Sequence, residues 1–273
     1  MIDPSRLRRG ASSYGLLVPA AALTAGFLVW PLVRAGQLAG SPGSAVHQLW
    51  VPTYARDLTF TLTTSVFAAV AAMAVGFVLA IRLHGASGRG TAVIVTLVLL
   101  PLLVPHLVAA YAIRLLLDQS GPLIRALFHG GGPNLVASPV ALVFALVWKF
   151  LPFAYLNARA ARDAIPPELL EAASDLGSSV ARRARTILLP LMLPGLLAGG
   201  VLVFVLSAAQ FSLTLIAYSG LRTTTIPMDV FFLSQGENEP ALASALGVAF
   251  AAFIVVVSVA GEGLVRWRTR AAS

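Results

Sequence analysis

The sequence contains no cysteine, and its single lysine is Lys149, in the context VWKFLP. Without cysteine there is no disulfide, no zinc–thiolate centre and no thiol nucleophile. With that one lysine outside any Gly-rich Gly-Lys-Ser/Thr loop, a Walker-type phosphate cradle is excluded. If ATP drives this protein, another chain must bind it. Charge as a whole is scarce: 11% of the 273 residues are charged against 58% hydrophobic. A mean hydropathy of +0.86 excludes an ordinary soluble domain. The net charge of +8 invites a nucleic-acid reading. However, no basic patch is interleaved with base-stacking aromatics, so nucleic acid is not an expected partner.

What remains is a series of apolar runs, near Gly15–Val33, Thr61–Ile81, Ala92–Leu117, Pro139–Ala158, Leu191–Ala217 and Leu242–Leu264. Each is long enough to cross a hydrocarbon core. The expected fold is all-α and polytopic, with six transmembrane helices and local kinks at Pro101, Pro105 and Pro152. The first run follows Arg6, Arg8 and Arg9 as a signal peptide would. Its core is long for one, and Pro31 and Arg34 occupy the place of small cleavage residues, which favours a retained anchor. Arginine bias sets the orientation. With the N-terminus in the cytoplasm, only Arg34, Arg56, Arg114, Arg125 and Arg222 fall outside, and the other thirteen arginines fall inside. Both termini are then expected in the cytoplasm.

Against this apolar background the stretch ELLEAASDLGSSVARRARTILLP, residues 168–190, gathers three acids and three arginines. It falls in the inner loop between the fourth and fifth spans. Pro166-Pro167-Glu168 is a helix start, with Glu168 and Glu171 suiting the positive end of the dipole. Leu169, Ala172, Ala173 and Leu176 recur at i, i+3, i+4 and i+7 and make one apolar stripe. Gly177 is the expected stop, in left-handed conformation. Ser178 or Ser179 is placed to cap a second short turn. That turn carries Arg182, Arg183 and Arg185, which suit lipid phosphates or an acidic partner. The pattern predicts a helix of about ten residues, with a small-residue face, that either seats in a partner's cleft or lies at the membrane surface.

Glu171-Ala172-Ala173, three residues, Gly177, nine residues, Ile187, one residue, then Leu189-Pro190 resembles the EAA loop of binding-protein-dependent ABC importer permeases, with every fixed position filled. The resemblance extends over about Asp57–Leu264. It implies a coupling helix seated in a groove of an ATP-binding subunit, and it assigns Glu171, Ala172, Ala173, Gly177, Ile187, Leu189 and Pro190 to coupling. It divides the chain into an N-terminal segment with the first helix (1–56), a five-helix permease domain (57–265) and a tail (266–273). Implied partners are an ATPase dimer, a second permease subunit, an extracytoplasmic solute-binding protein and membrane lipid. No cofactor is expected in this chain, ATP and Mg being held by the ATPase. Within the family, residues 206–247 are most similar to the polyamine, ferric iron, thiamine and phosphonate branch. Polyamine permeases often carry acids just before the position of Phe211, where this chain has Ala208-Ala209-Gln210. That departure disfavours a polycationic solute.

Two ionisable side chains, Lys149 and His106, lie near the middle of predicted spans. A lysine at a span's centre is unfavourable by about 2.5–3.5 kcal/mol, so Lys149 should face the bundle interior or a wet cavity. It is open to two readings: a contact for an anionic solute or gate ion pair, or a lysine snorkelling or bonded to backbone carbonyls near Pro152. His106 is expected as a hydrogen-bonded core histidine, with a place on the solute path as the alternative. Gln210 and Ser212 on the fifth span are candidates for the same path. Two rival functions are weaker. An ion-coupled secondary transporter lacks paired intramembrane carboxylates and inverted repeats here. A membrane enzyme lacks any His/Asp/Glu cluster at metal-ligand spacing.

Overall fold

The computed structural model describes residues 4–128, 132–218 and 223–271. Arg222 and the Gly130-Gly131 turn, both expected on the outer side, lie outside the described residues. The chain divides into two compact units, residues 1–51 with 230–251 and residues 52–229 with 252–273.

In the first unit α1 (Pro4–Ala39) contains the whole first apolar run, with Pro19 and Pro31 inside it. It is followed by the short α2 (Pro42–Gln48), whose N-cap Ser41 accepts the backbone N–H of Ser44. The unit's second part, residues 230–251, is helical on either side of a turn around Asn238, which sits at φ +54°.

The second unit holds the apolar core. Its elements are α3 (Pro52–Leu83), α4 (Arg89–Leu103), α5 (His106–Leu117), α6 (Pro122–Phe128), α7 (Pro139–Asp163), α8 (Pro167–Asp175) and α9 (Val180–Arg183). A π-helical turn (Ala184–Leu188) leads into α10 (Leu189–Ala208), then α11 (Ser212–Ala217). The last two helices, α12 (Ile226–Gln235) and α13 (Pro240–Ala271), each belong partly to both units. Helices α3, α7 and α10 pack most extensively on one another. In a membrane the contact between helices gains little from apolar transfer, so close backbone approach through small residues must supply it. Ala68, Ala72, Ala145 and Ala158 are fully buried at this centre. At Gly76 a Cβ would lie 3.0 Å from the backbone of Ala154, so only glycine lets α3 touch α7 there.

Six helical stretches among the described residues are long and apolar enough to cross a membrane. Two of the predicted spans differ from expectation. The third run is not one kinked helix: α4 ends at Leu103, Val104 turns extended (ψ 124°), and Pro105 caps a separate α5. The long stretch there is His106–Phe128, and α4 is a shorter apolar helix. Proline at 105 removes the N–H that would continue the ladder and disfavours helical geometry at Val104. The fifth run likewise breaks after Ala208, and α11 resumes only at Ser212. By contrast, α7 runs through Pro152 without interruption.

The N-terminal part of α3 organises the segment before α12. Asp57, only 2% exposed, accepts the backbone N–H of Thr224 at 3.1 Å. Thr61 Oγ accepts that of Ile226 at 3.1 Å. Two buried side chains thus supply acceptors to backbone donors that a helix start leaves unpaired.

Candidate functional site

The charged loop folds as its sequence demands. Pro166 occupies the N-cap and Pro167 the first helical position of α8, with Glu168 in the first turn. The helix ends in a full Schellman arrangement. Ser178 N–H donates to Ala173 O (3.0 Å) and Gly177 N–H to Ser174 O (2.8 Å), with Gly177 at φ +77°. This is the geometry that satisfies the last carbonyls of a helix. Ser179, rather than Ser178, caps the next turn by accepting Arg182 N–H. Helix α8 is nine residues long and none of them is buried.

Its two faces differ. Leu170 packs against a small core of Ala80, Ala158, Ile165, Leu188, Met192 and Leu196, so this side is anchored to the ends of α3, α7 and α10. The stripe predicted for contact points away: Leu169 is 45% and Leu176 89% exposed. Glu171 and Ala172 are exposed and Ala173 half-buried. Of the remaining motif positions, Ile187 is half-buried while Leu189 and Pro190 are exposed. The core contact comes instead from Leu188, 5% exposed, which the motif does not mark. The π turn explains this, since its wider winding shifts the face that each following residue presents. The base of the loop is tied to α3 and α7. His84 Nδ1 lies 3.0 Å from Asp163, whose other oxygen is 3.6 Å from Arg159.

The intramembrane candidates sit at the two helix breaks. Lys149 is buried, and its Nζ donates to Pro101 O and to Val104 O, each at 2.6 Å. In a continuous helix Pro101 O would accept from the N–H of residue 105. That residue is proline, so the lysine provides the missing donor. Of the two readings of Lys149, this geometry favours the carbonyl-bonded one, with the carbonyls lying at the α4–α5 elbow rather than beside Pro152. His106 is not a core histidine. It is exposed at the start of α5, with its ring centroid 6.4 Å from that of Phe150. Starting a helix immediately after Pro105 turns it off the packed face. Gln210 lies in the break between α10 and α11, half-buried, its Nε2 enclosed without a hydrogen-bond partner. Ser212 opens α11 and is half-buried. Arg114 Nη1 donates to Ile216 O at 3.0 Å, joining α5 to α11. The two broken helices are therefore neighbours, and each carries backbone outside the helical ladder, at the first break bonded by Lys149. Such interruptions are tolerated only against protein or a wet cavity, which makes them suited to a solute route.

Among the described residues no group of three or more His, Cys, Asp or Glu could hold a metal ion.

Comparison with known proteins gives a consistent picture. Residues 85–270 match the family model described as "Binding-protein-dependent transport system inner membrane component". The chain is 32% identical over 173 residues to the inner membrane ABC transporter permease protein YdcU of Escherichia coli, a match spanning 57% of this chain and 54% of that protein. It is 29% identical over 240 residues to a probable molybdenum ABC transporter permease protein of Haloferax volcanii, covering 84% of this chain and 85% of that one. In fold it is similar to a bacterial ABC transporter involved in the import of the acidic polysaccharide alginate. There the TM-score is 0.80 at 18% identity, over 96% of this chain and 97% of that one.

Proposed function

The chain belongs to the binding-protein-dependent transport system inner membrane component family, and from that premise we propose how it works as a permease subunit of an ABC importer. Helix α8 is the coupling helix. It seats its Leu169, Ala172 and Leu176 face in a groove of an ATPase subunit on the cytoplasmic side. A second permease subunit supplies the other half of the path, and an extracytoplasmic binding protein delivers the solute. ATP and Mg are held by the ATPase, so this chain has no catalytic step of its own. ATP-driven closure of the ATPase dimer draws the coupling helices together and opens the path outward, and hydrolysis reverses the movement. The observation that carries this reading is the outward apolar face of α8, with Leu176 89% exposed on a helix closed by its C-terminal hydrogen bonds and anchored through Leu170. An apolar stripe held rigidly away from its own core is preorganised for a partner.

We propose a small oxyanion as the solute. Support comes from the molybdenum permease that matches most of the chain, and from the lack of acids at Ala208-Ala209-Gln210. Lys149 no longer contributes to that argument, because two carbonyls engage its ammonium group. The test is uptake into proteoliposomes holding the complete complex. Molybdate uptake should require ATP and the binding protein, and spermidine should be carried at background level. ATP-dependent spermidine uptake, as by polyamine permeases of the same branch, would refute the oxyanion assignment.

Orientation is tested separately, and the absence of cysteine makes the measurement clean. Single cysteines at Gln119 and Asp175, both exposed, should react with a membrane-impermeant maleimide from opposite sides, Asp175→Cys from the cytoplasm. Reaction of both from one side would overturn the threading.

A further inference from the structure

Beneath α8 lies a cleft of about 340 Å³. One wall is the end of α7, where Arg162 is 94% buried, its exposure being 6%. Its Nη1 is enclosed without a hydrogen-bond partner. Arg183 of α9 and His84 after α3 also line the cleft, as do Glu171 and Ser174 on the inward side of α8.

The charges here are unevenly committed. Asp163 is the nearest carboxylate along the chain, but it is engaged by His84 and Arg159. No ion pair among the described residues reaches Arg162, Arg183 or Glu171. Asp163 acts on Arg162 through its charge alone while bonded elsewhere, and burying a guanidinium with so shared a counter-charge is unfavourable, because its lost hydration is only partly replaced. Such a group calls for an anion. The planar fork of N–H donors matches the oxygens of a phosphate-class anion, and a second arginine and a hydroxyl extend the match.

We propose that this cleft is an anion site. It takes a phosphate-class oxyanion, supplied either as free phosphate or as the headgroup of an acidic phospholipid. Arg162 is the principal ligand, with Arg183 and the Ser174 hydroxyl completing the donor set. The apolar remainder of the wall, Ile81, Leu170 and Leu188, accommodates the esterified side of a headgroup as readily as it flanks a free ion. Glu171 shares the cleft and opposes the anion by like-charge repulsion. Glu171 lies on the same cleft wall as the two guanidinium groups, which links occupancy to the position of the coupling helix. The site stands on the cleft's own groups and does not depend on which solute is transported.

The test uses the full-length protein in nanodiscs, with the melting midpoint as readout. In phosphatidylcholine discs, inorganic phosphate is titrated at constant ionic strength. In a second arm phosphatidylglycerol replaces part of the lipid and phosphate is omitted. A saturable rise of the midpoint with phosphate identifies the free ion; a rise only with phosphatidylglycerol identifies the headgroup. In either arm Arg162→Gln and Arg183→Gln should weaken the response by about tenfold, the loss of one charge-assisted pair. Glu171→Gln should strengthen it, a sign that a merely structural role would not produce. If Arg162→Gln fails to fold, the half-buried Arg183 and the exposed Glu171 carry the test with the same opposite signs. A wild-type midpoint indifferent to both additions, or arginine variants that respond as wild type, would overturn the site.

Discussion

Lys149→Met is expected to loosen the packed bundle by about 2–4 kcal/mol while leaving membrane insertion intact or improved. A hydrogen bond to a charged group contributes about 1.5–3 kcal/mol, and bonds between membrane helices run nearer 1–2. Two such bonds, to Pro101 O and Val104 O, are lost together. Insertion moves the other way, since a mid-span ammonium is unfavourable by about 2.5–3.5 kcal/mol before any partner is found. The two effects therefore separate by measurement: unfolding in mixed micelles reports the first and membrane yield the second. Adding Pro105→Ala restores a backbone N–H at the elbow and should recover part of the lost stability. A Lys149→Met protein that unfolds like wild type yet fails to transport an oxyanion would return the lysine to the solute path.

Gly177→Val should weaken productive coupling about tenfold with little change in the membrane bundle. The residue sits at φ +77°, and a Cβ there would meet nothing within 4 Å. The penalty is thus one of backbone conformation, about 1–2 kcal/mol for an L-residue in the left-handed region. A nine-residue helix is marginal without its caps, so this is enough to fray the turn that presents Leu176. Co-purification of the ATPase subunit and stimulation of its activity should fall about tenfold, the equivalent of 1.4 kcal/mol. Gly177→Asn, which tolerates the left-handed region, should retain most of both. If the valine variant binds and stimulates the ATPase normally, α8 is not the coupling element.

These residues also show how far the sequence could be read. The first, second, fourth and sixth apolar runs, the proline start of α8, its stripe and its glycine stop depend on neighbours within a few positions, and the structure reproduces them. The partners of Lys149 lie 45 and 48 residues away, at an elbow whose existence depends on Val104 turning extended. No local pattern reports that. The exposure of His106 has the same origin: within one continuous span it would point inward, but as the first residue of a new helix it does not. Leu188 was missed because a motif counted along the chain assumes one helical winding throughout, and the π turn changes it. Arg162 was counted only as a topology signal, since neither its burial nor its want of a partner can be inferred from charge placement.

The π turn has a mechanical consequence as well. From Val180 to Ala208 the chain is helical without interruption, about 43 Å at an ordinary rise per residue. Only Leu176, Gly177, Ser178 and Ser179 separate this rod from α8, and three of those four backbone N–H groups are bonded back into α8. There is almost no slack between them. A torque applied to α8 must turn the whole of α10 or be absorbed where the winding is already irregular, at residues 184–188. The protein is built with a crank where most membrane loops provide a tether. A single residue added to or removed from that turn would rotate α10 by about 100° relative to α8, resetting how α8 is mounted on the bundle while leaving the residues of its outward face unchanged.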